Sequence, residues 1–252
     1  MSNAGKLAIV TGTSAGIGHA LVPILLERGW RVIGVSRRQA SFDHVAYRHL
    51  SLDLADLDAV ASAFERDVAP LLRDASIARV GLVNNAALIG PLRTVDATDA
   101  REMLATYAVN VVAPEWLTGF VARHAPRASA LRVVNVSSGA ANRPTAGLGT
   151  YCSTKAALRM ASMNAAADFA SEPLRSRMTT DAAVLSYSPG TVDTPMQVVA
   201  RSQSAAQFPA VVMFQGFHDR GALVPAEQPA GEIADFLDSS GVPAFAERRL
   251  GE

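Results

Sequence analysis

Tyr151 and Lys155 stand four residues apart in the run YCSTK, and on a helix that spacing puts a phenol and an ammonium on one face. A free tyrosine ionises near pH ~10, too high for easy proton exchange near neutrality. A cation about 4 Å away, at an effective dielectric near 20, favours the phenolate by roughly 4 kcal/mol, on the order of three pH units. Such a pair can protonate a developing alkoxide. Ser138, in VSSG after an apolar run, supplies a hydroxyl that could polarise the same oxygen. Asn110 lies within an apolar helical pattern, four residues before Pro114. Proline has no N–H for the carbonyl four residues back, so a bend there would free the Asn110 carbonyl to hold a water. The competing reading is a plain proline kink with Asn110 as a packing residue.

A second constellation suits phosphate. TGTSAGIG, residues 11–18, follows a strand-like run and leads into a helical one. Gly12, Gly16 and Gly18 permit a tight turn and close approach of backbone to a ligand, and the helix N-terminus then offers free N–H groups to a pyrophosphate. At the end of the second strand, VIGVSRR puts Ser36, Arg37 and Arg38 where an NAD site carries an acid for the ribose 2′-hydroxyl. A guanidinium suits a 2′-phosphate through charge-assisted hydrogen bonds. NADP(H) is therefore expected over NAD(H), with two solvated arginines as the alternative.

The elements that must position these groups alternate. Apolar runs at 6–11, 30–36, 79–84, 131–137 and 182–188 read as strands, with a further strand at 47–52. Helical periods fall at 17–29, 56–73, 96–125, 150–171 and 226–238. Near-continuous apolar strands between helices predict an α/β fold, a Rossmann-type, doubly wound parallel sheet with helices on both faces. No linker or repeat divides residues 1–252, so a single domain is expected. Residues 191–224 break the alternation, and a connection that long suggests a lid over the substrate. In such a sheet ligands bind outside the carboxyl ends of the strands, so Ser138, Tyr151 and Lys155 can share one crevice.

Composition removes several classes of function. The 252 residues are 49% hydrophobic, with 23 basic and 23 acidic side chains and no basic cluster. That gives no footprint for nucleic acid or an anionic membrane. No apolar segment reaches the roughly 20 residues of a membrane span, and MSNAGKLAIVTG has no extended apolar region or cleavage site. A cytoplasmic protein is expected. Residues 2–4 would suit a tag remnant. Cys152 is the only cysteine, and the five histidines show no metal-ligand spacing, so no metal is expected.

The glycine turn, NNAA at 84–87, Asn110, Ser138, the YxxxK pair and SPG at 188–190 together resemble the short-chain dehydrogenase/reductase superfamily over about residues 6–194. The resemblance implies that Tyr151 is the acid/base, Lys155 its activator and a ribose ligand, and Asn110 part of a proton relay. It also implies that Ser138, thirteen residues before the tyrosine, orients the carbonyl. By the same resemblance the cofactor lies against Gly12, Ser14, Gly16, Ile17, Gly18, Asp53, Leu54, Asn84, Ala86, Pro189, Gly190, Val192 and Thr194. The catalytic helix would sit at a subunit interface, giving a homodimer or homotetramer. DTPMQ, and a terminus without the family's usual strand and glycine pair, are similar to sepiapterin reductases and bacterial benzil reductases. These reduce carbonyls, often one of a vicinal diketone, with NADPH. The aspartate that holds pterin in sepiapterin reductases is replaced here by Phe245 or a neighbour. NNAA in place of the commoner NNAG removes no reacting group, and Ala15 in place of a basic residue leaves Arg37 and Arg38 to carry cofactor choice. The expected activity is NADPH-dependent reduction of a ketone or vicinal diketone. The alternatives are an NADPH-binding regulator without turnover and a reductase of 3-oxoacyl thioesters.

Overall fold

The computed structural model describes residues 5–252; the possible tag remnant at 2–4 lies outside them. Seven strands form one sheet: β1 (Gly5–Thr11), β2 (Arg31–Ser36), β3 (Tyr47–Ser51), β4 (Ile77–Asn84), β5 (Ala130–Val136), β6 (Ala182–Ser188) and β7 (Phe245–Arg249). Their order is β3-β2-β1-β4-β5-β6-β7, and every neighbouring pair is parallel. The chain leaves β1 toward one edge and returns at β4 to build the other half, so a crevice opens where the two halves diverge.

The helices are α1 (Gly16–Glu27), α2 (Leu57–Asp67), α3 (Ala69–Leu72), α4 (Ala100–Tyr107), α5 (Ala113–His124), α6 (Gly149–Ala170), α7 (Glu172–Arg175), α8 (Pro195–Arg201), α9 (Val211–Asp219) and α10 (Glu227–Asp238). Side chains alternate across the strands. Ala8 and Val10 pack with Leu21 and Leu25 of α1 and Ile233 and Leu237 of α10 on one face. Leu7 and Ile9 join Phe64 of α2, Phe120 of α5 and Phe169 of α6 on the other. Burial on both faces is why the strands read as apolar runs rather than as alternating ones.

The structure departs from the sequence expectation in three places. The terminus does carry a strand: β7 pairs with β6 from Val184↔Phe245 to Ser188↔Arg249. Only Phe245 and Ala246 of FAERR are half-buried, and the exposed charges that hide its apolar signal also blunt a sheet edge. The helix expected at 56–73 breaks at Val68, where Pro70 enters the first turn of α3. The helix expected at 96–125 begins as a 3-10 turn at Val95–Ala97, restarts at Asp99, passes through a π turn at Ala108–Val112 and continues as α5. The Asp99 carboxylate accepts from Arg101 N and Glu102 N, so it can only be an N-cap. The π turn immediately precedes Pro114, which cannot donate within a regular helix.

Candidate active site

A crevice of about 1130 Å³ opens at the carboxyl ends of the strands. Its floor begins with the glycine turn. Gly12 (φ +77°) and Gly16 (φ +58°) adopt left-handed backbone that favours glycine. Gly12 N donates to Val35 O at 2.7 Å, which ties the turn to β2. Gly12, Ser14, Gly16 and Ile17 line the crevice, whereas Gly18 lies beneath it. A Cβ on Gly18 would fall on the Gly12 carbonyl and 2.5 Å from Asn85 Nδ2, so glycine there keeps the turn low. Helix α1 opens at Ala15 with no capping side chain and no acid in its first turn. Its N–H groups are thus left for an anion, and this cradle fits a dinucleotide pyrophosphate.

Tyr47 supports the turn from below. Its hydroxyl contacts His49 Nδ1 at 3.1 Å and occupies the place a Gly34 Cβ would need, beside Thr13 of the turn. At the end of β2 and beyond β3, Arg37, Arg38, Asp53 and Leu54 line the wall, with Ala86 beside them. Arg37 stands 3.8 Å from Asp53. The Ser36 hydroxyl donates to Arg38 O at 2.7 Å and fixes the backbone that carries both guanidiniums. On the opposite wall Pro189, Gly190, Val192 and Thr194 line the crevice. Thr194 Cγ2 lies 2.9 Å from where a Gly16 Cβ would be, closing that wall over the turn.

Asn84 is placed differently from the sequence expectation. Its side chain is 2% exposed and points into the core, donating to Asn135 Oδ1 at 2.7 Å. The neighbouring Asn85 lines the crevice and donates to Thr11 O at 2.9 Å. Thr11 Oγ1 accepts from both Asn85 N and Ala86 N at 3.0 Å, which ties the end of β4 to that of β1. Adjacent asparagines at a strand end face opposite sides, so NNAA alone could not tell which one meets a ligand.

Ser138, Tyr151 and Lys155 do share the crevice. Ser138 follows β5 in extended backbone (φ −164°) and accepts from Ala140 N at 3.2 Å. Burial pushes the Tyr151 phenol up to about 12, partly offset by a hydrogen bond with the Ser138 side chain. Burial likewise pulls the Lys155 ammonium down to about 8. Lys155 Nζ donates to Val136 O at 2.7 Å and sits 5.6 Å from the centre of the Tyr151 ring. The lysine is thus turned to the backbone, and burial outweighs the activation expected from a cation at about 4 Å.

Asn110 does not line the crevice. It is 1% exposed in the π turn, and its side-chain Nδ2 donates to Leu88 O at 2.8 Å and Thr154 Oγ1 at 3.0 Å while its side-chain Oδ1 accepts from Leu88 N at 2.8 Å. Thr154, missed from the sequence, donates in turn to Tyr151 O at 2.8 Å. Asn110 thereby fixes the Leu88 segment against the first turn of α6.

The segment 191–224, expected as a lid, contains the two helices α8 and α9. Phe208, Val211 and Phe214 pack with Leu92 and Leu148 in a cluster of their own, and Met196, Met213, Phe214 and Phe217 line the crevice mouth. No described helix is long and apolar enough to cross a membrane.

A parallel sheet in this order, a glycine turn feeding α1, and a serine, tyrosine and lysine at one strand-end crevice define a nicotinamide-dependent oxidoreductase. Residues 6–205 match the short chain dehydrogenase family, and the chain belongs to it. It is 31% identical to a benzil reductase ((S)-benzoin forming) of Bacillus subtilis (strain 168), over 92% of this chain and 93% of that one. It is also 31% identical to a sepiapterin reductase of Xenopus tropicalis, over 92% and 91% of the two chains. Among solved structures, a short-chain dehydrogenase/reductase from Saccharomyces cerevisiae superposes with a TM-score of 0.79 at 25% identity, covering 98% of this chain and 97% of that one.

Proposed function

We propose that this protein is an NADPH-dependent carbonyl reductase acting on a ketone or vicinal diketone. The observation that carries the reading is the convergence of Ser138, Tyr151 and Lys155 on one crevice with the glycine turn. Arg37 and Arg38 support NADPH over NADH, as guanidiniums suited to a 2′-phosphate. A bound dihydronicotinamide supplies the two electrons and one hydrogen that the carbonyl carbon needs. The Ser138 and Tyr151 hydroxyls hold the carbonyl oxygen, and Tyr151 gives it the second hydrogen as a proton. Because burial keeps its pKa up to about 12, Tyr151 holds that proton across the physiological range. Lys155, 5.6 Å from the Tyr151 ring centre, offsets the charge of the resulting phenolate, and Asn110, through Thr154, keeps the tyrosine in register.

The benzil reductases among the relatives and the apolar mouth at Met196, Met213, Phe214 and Phe217 support a hydrophobic substrate. Phe245 packs against the core at the sheet edge and does not line the crevice; its neighbours Arg249 and Leu250 do, and neither is a carboxylate that could hold a pterin. We assign the groove of about 960 Å³ between α5 and α6, lined by Gly119, Ala122, Ala161 and Ala165, to a second copy of the chain. The test is NADPH oxidation with benzil, diacetyl, sepiapterin and an acetoacetyl thioester. Reduction of the diketones is expected, with Tyr151→Phe lowering kcat by about 10²–10⁴-fold while retaining NADPH binding. NADPH binding without turnover on any carbonyl would point to a regulator instead.

A further inference from the structure

The substrate end of the crevice carries charge of one sign. Arg37, Arg38, Arg143, Lys155 and Arg249 line the crevice, against Asp53 as its single carboxylate. The chain as a whole has no net charge. Asp53 stands 3.8 Å from Arg37, and the charge of Arg249 acts on Glu247, whereas among the described residues Arg143 has no carboxylate within ion-pair distance. Arg143 follows the 3-10 turn at Gly139–Ala141 and folds back over it, with Nη2 4.0 Å from where a Gly139 Cβ would stand, one residue from Ser138. Arg249 approaches from the end of β7. Among the described residues, neither guanidinium makes an ion pair or a side-chain hydrogen bond. Apolar side chains, Leu148, Met196, Met213 and Phe214, also line this end, with Asn142, Thr145 and Gln197 among them.

A planar guanidinium with its N–H groups unused, beside an apolar pocket, matches a carboxylate better than any neutral group. Resting on the carbonyl-reductase reading above, we propose that the preferred substrate is an oxo acid with an apolar body, its carboxylate held by Arg143 while Ser138 and Tyr151 hold the ketone oxygen. A 2-oxo acid places its carboxylate where a vicinal diketone has its second carbonyl, so one pocket accommodates both shapes and the guanidinium favours the acid. The carboxylate is unchanged in the reaction. The ketone carbon gains hydrogen from NADPH and the ketone oxygen a proton, leaving a 2-hydroxy acid and NADP⁺.

The test compares benzoylformate with its neutral methyl ester, and with benzil, in the wild type, Arg143→Gln, Arg143→Lys and Arg249→Gln. Wild type should favour the acid by kcat/KM, and the acid-to-ester ratio should fall about tenfold in Arg143→Gln and recover partly in Arg143→Lys. Raising salt from 0.05 to about 0.5 M should lower the wild-type ratio, because an exposed guanidinium is screened. Calorimetry should show mandelate, the product acid, binding about tenfold more weakly to Arg143→Gln. An unchanged ratio in Arg143→Gln, or a ratio moved only by Arg249→Gln, overturns the assignment. Reduction of benzil and the ester with no preference for the acid overturns this proposal alone. No NADPH oxidation with any of the three carbonyls overturns the underlying reading as well.

Discussion

Replacing Lys155 with methionine should stabilise the ligand-free protein while ending turnover. The lysine is 2% exposed, and its hydrogen bond goes to the Val136 carbonyl. Burial pulls its pKa from 10.5 to about 8. At about 1.4 kcal/mol per pH unit, this depression corresponds to about 3 kcal/mol of lost stability at neutral pH. The unfolded chain keeps the proton up to pH 10.5 and the folded chain only to about 8, so stability is lowered in full below pH 8 and recovers as the pH climbs to 10.5. Tyr151 works the other way, since the folded chain keeps its proton to about 12, but its contribution is confined to pH above 10. Methionine retains an unbranched stem and loses one hydrogen bond of about 1 kcal/mol. The net gain for Lys155→Met is therefore about 2 kcal/mol at pH 7, shrinking to near zero by pH ~10. Guanidinium denaturation of both proteins without cofactor, at several pH values from 7 to 10, measures it. A variant less stable than wild type at pH 7, or a stability gap that ignores pH, would refute the reasoning.

Three other outcomes are expected. Arg37→Ala combined with Arg38→Ala should raise the dissociation constant for NADPH at least tenfold more than that for NADH, measured by fluorescence titration, because only NADPH carries the 2′-phosphate. Equal effects on both would sink the cofactor assignment. Gly18→Ala should abolish the thermal shift produced by NADPH, since its methyl would displace the Gly12 carbonyl and Asn85; a normal shift would show the turn to be less constrained. Pro114→Ala should let a regular helix replace the π turn and slow kcat several-fold through Asn110 and Thr154, and an unchanged kcat would argue against that linkage.

What the sequence revealed followed its periodicities. The runs that became β1, β2, β4, β5 and β6 were legible because burial on both faces leaves them apolar, and α1 because the glycine turn announces its start. The reacting groups were legible because Tyr151, Lys155 and Ser138 are fixed by local spacing on elements whose direction the parallel sheet dictates. Less legible was whatever depends on which way a side chain turns. Asn84 and Asn85 differ only by strand parity, and Thr154 matters only because Asn110 approaches from another helix. The spacing makes Lys155 the neighbour that lowers the Tyr151 pKa, yet burial dominates both groups in the crevice. Desolvation belongs to the assembled fold, so spacing alone could not supply it. The strand at Phe245–Arg249 escaped notice because its edge position lets charge replace alternation.

Tyr47 of β3 lies opposite Val32 of β2 and so sits diagonally from Gly34 on the same face, where the tyrosine hydroxyl fills the space of the missing Gly34 side chain. Substitution at these two sites is therefore ordered in descent. A lineage that enlarges residue 34 first meets the Tyr47 ring and Thr13 within 2.9 Å and loses the shelf under the glycine turn. One that first shrinks residue 47 opens the room in which residue 34 can then grow. Relatives should accordingly carry small-large or large-small combinations at this pair, and the intermediate with two large side chains should be missing from the line of ancestors.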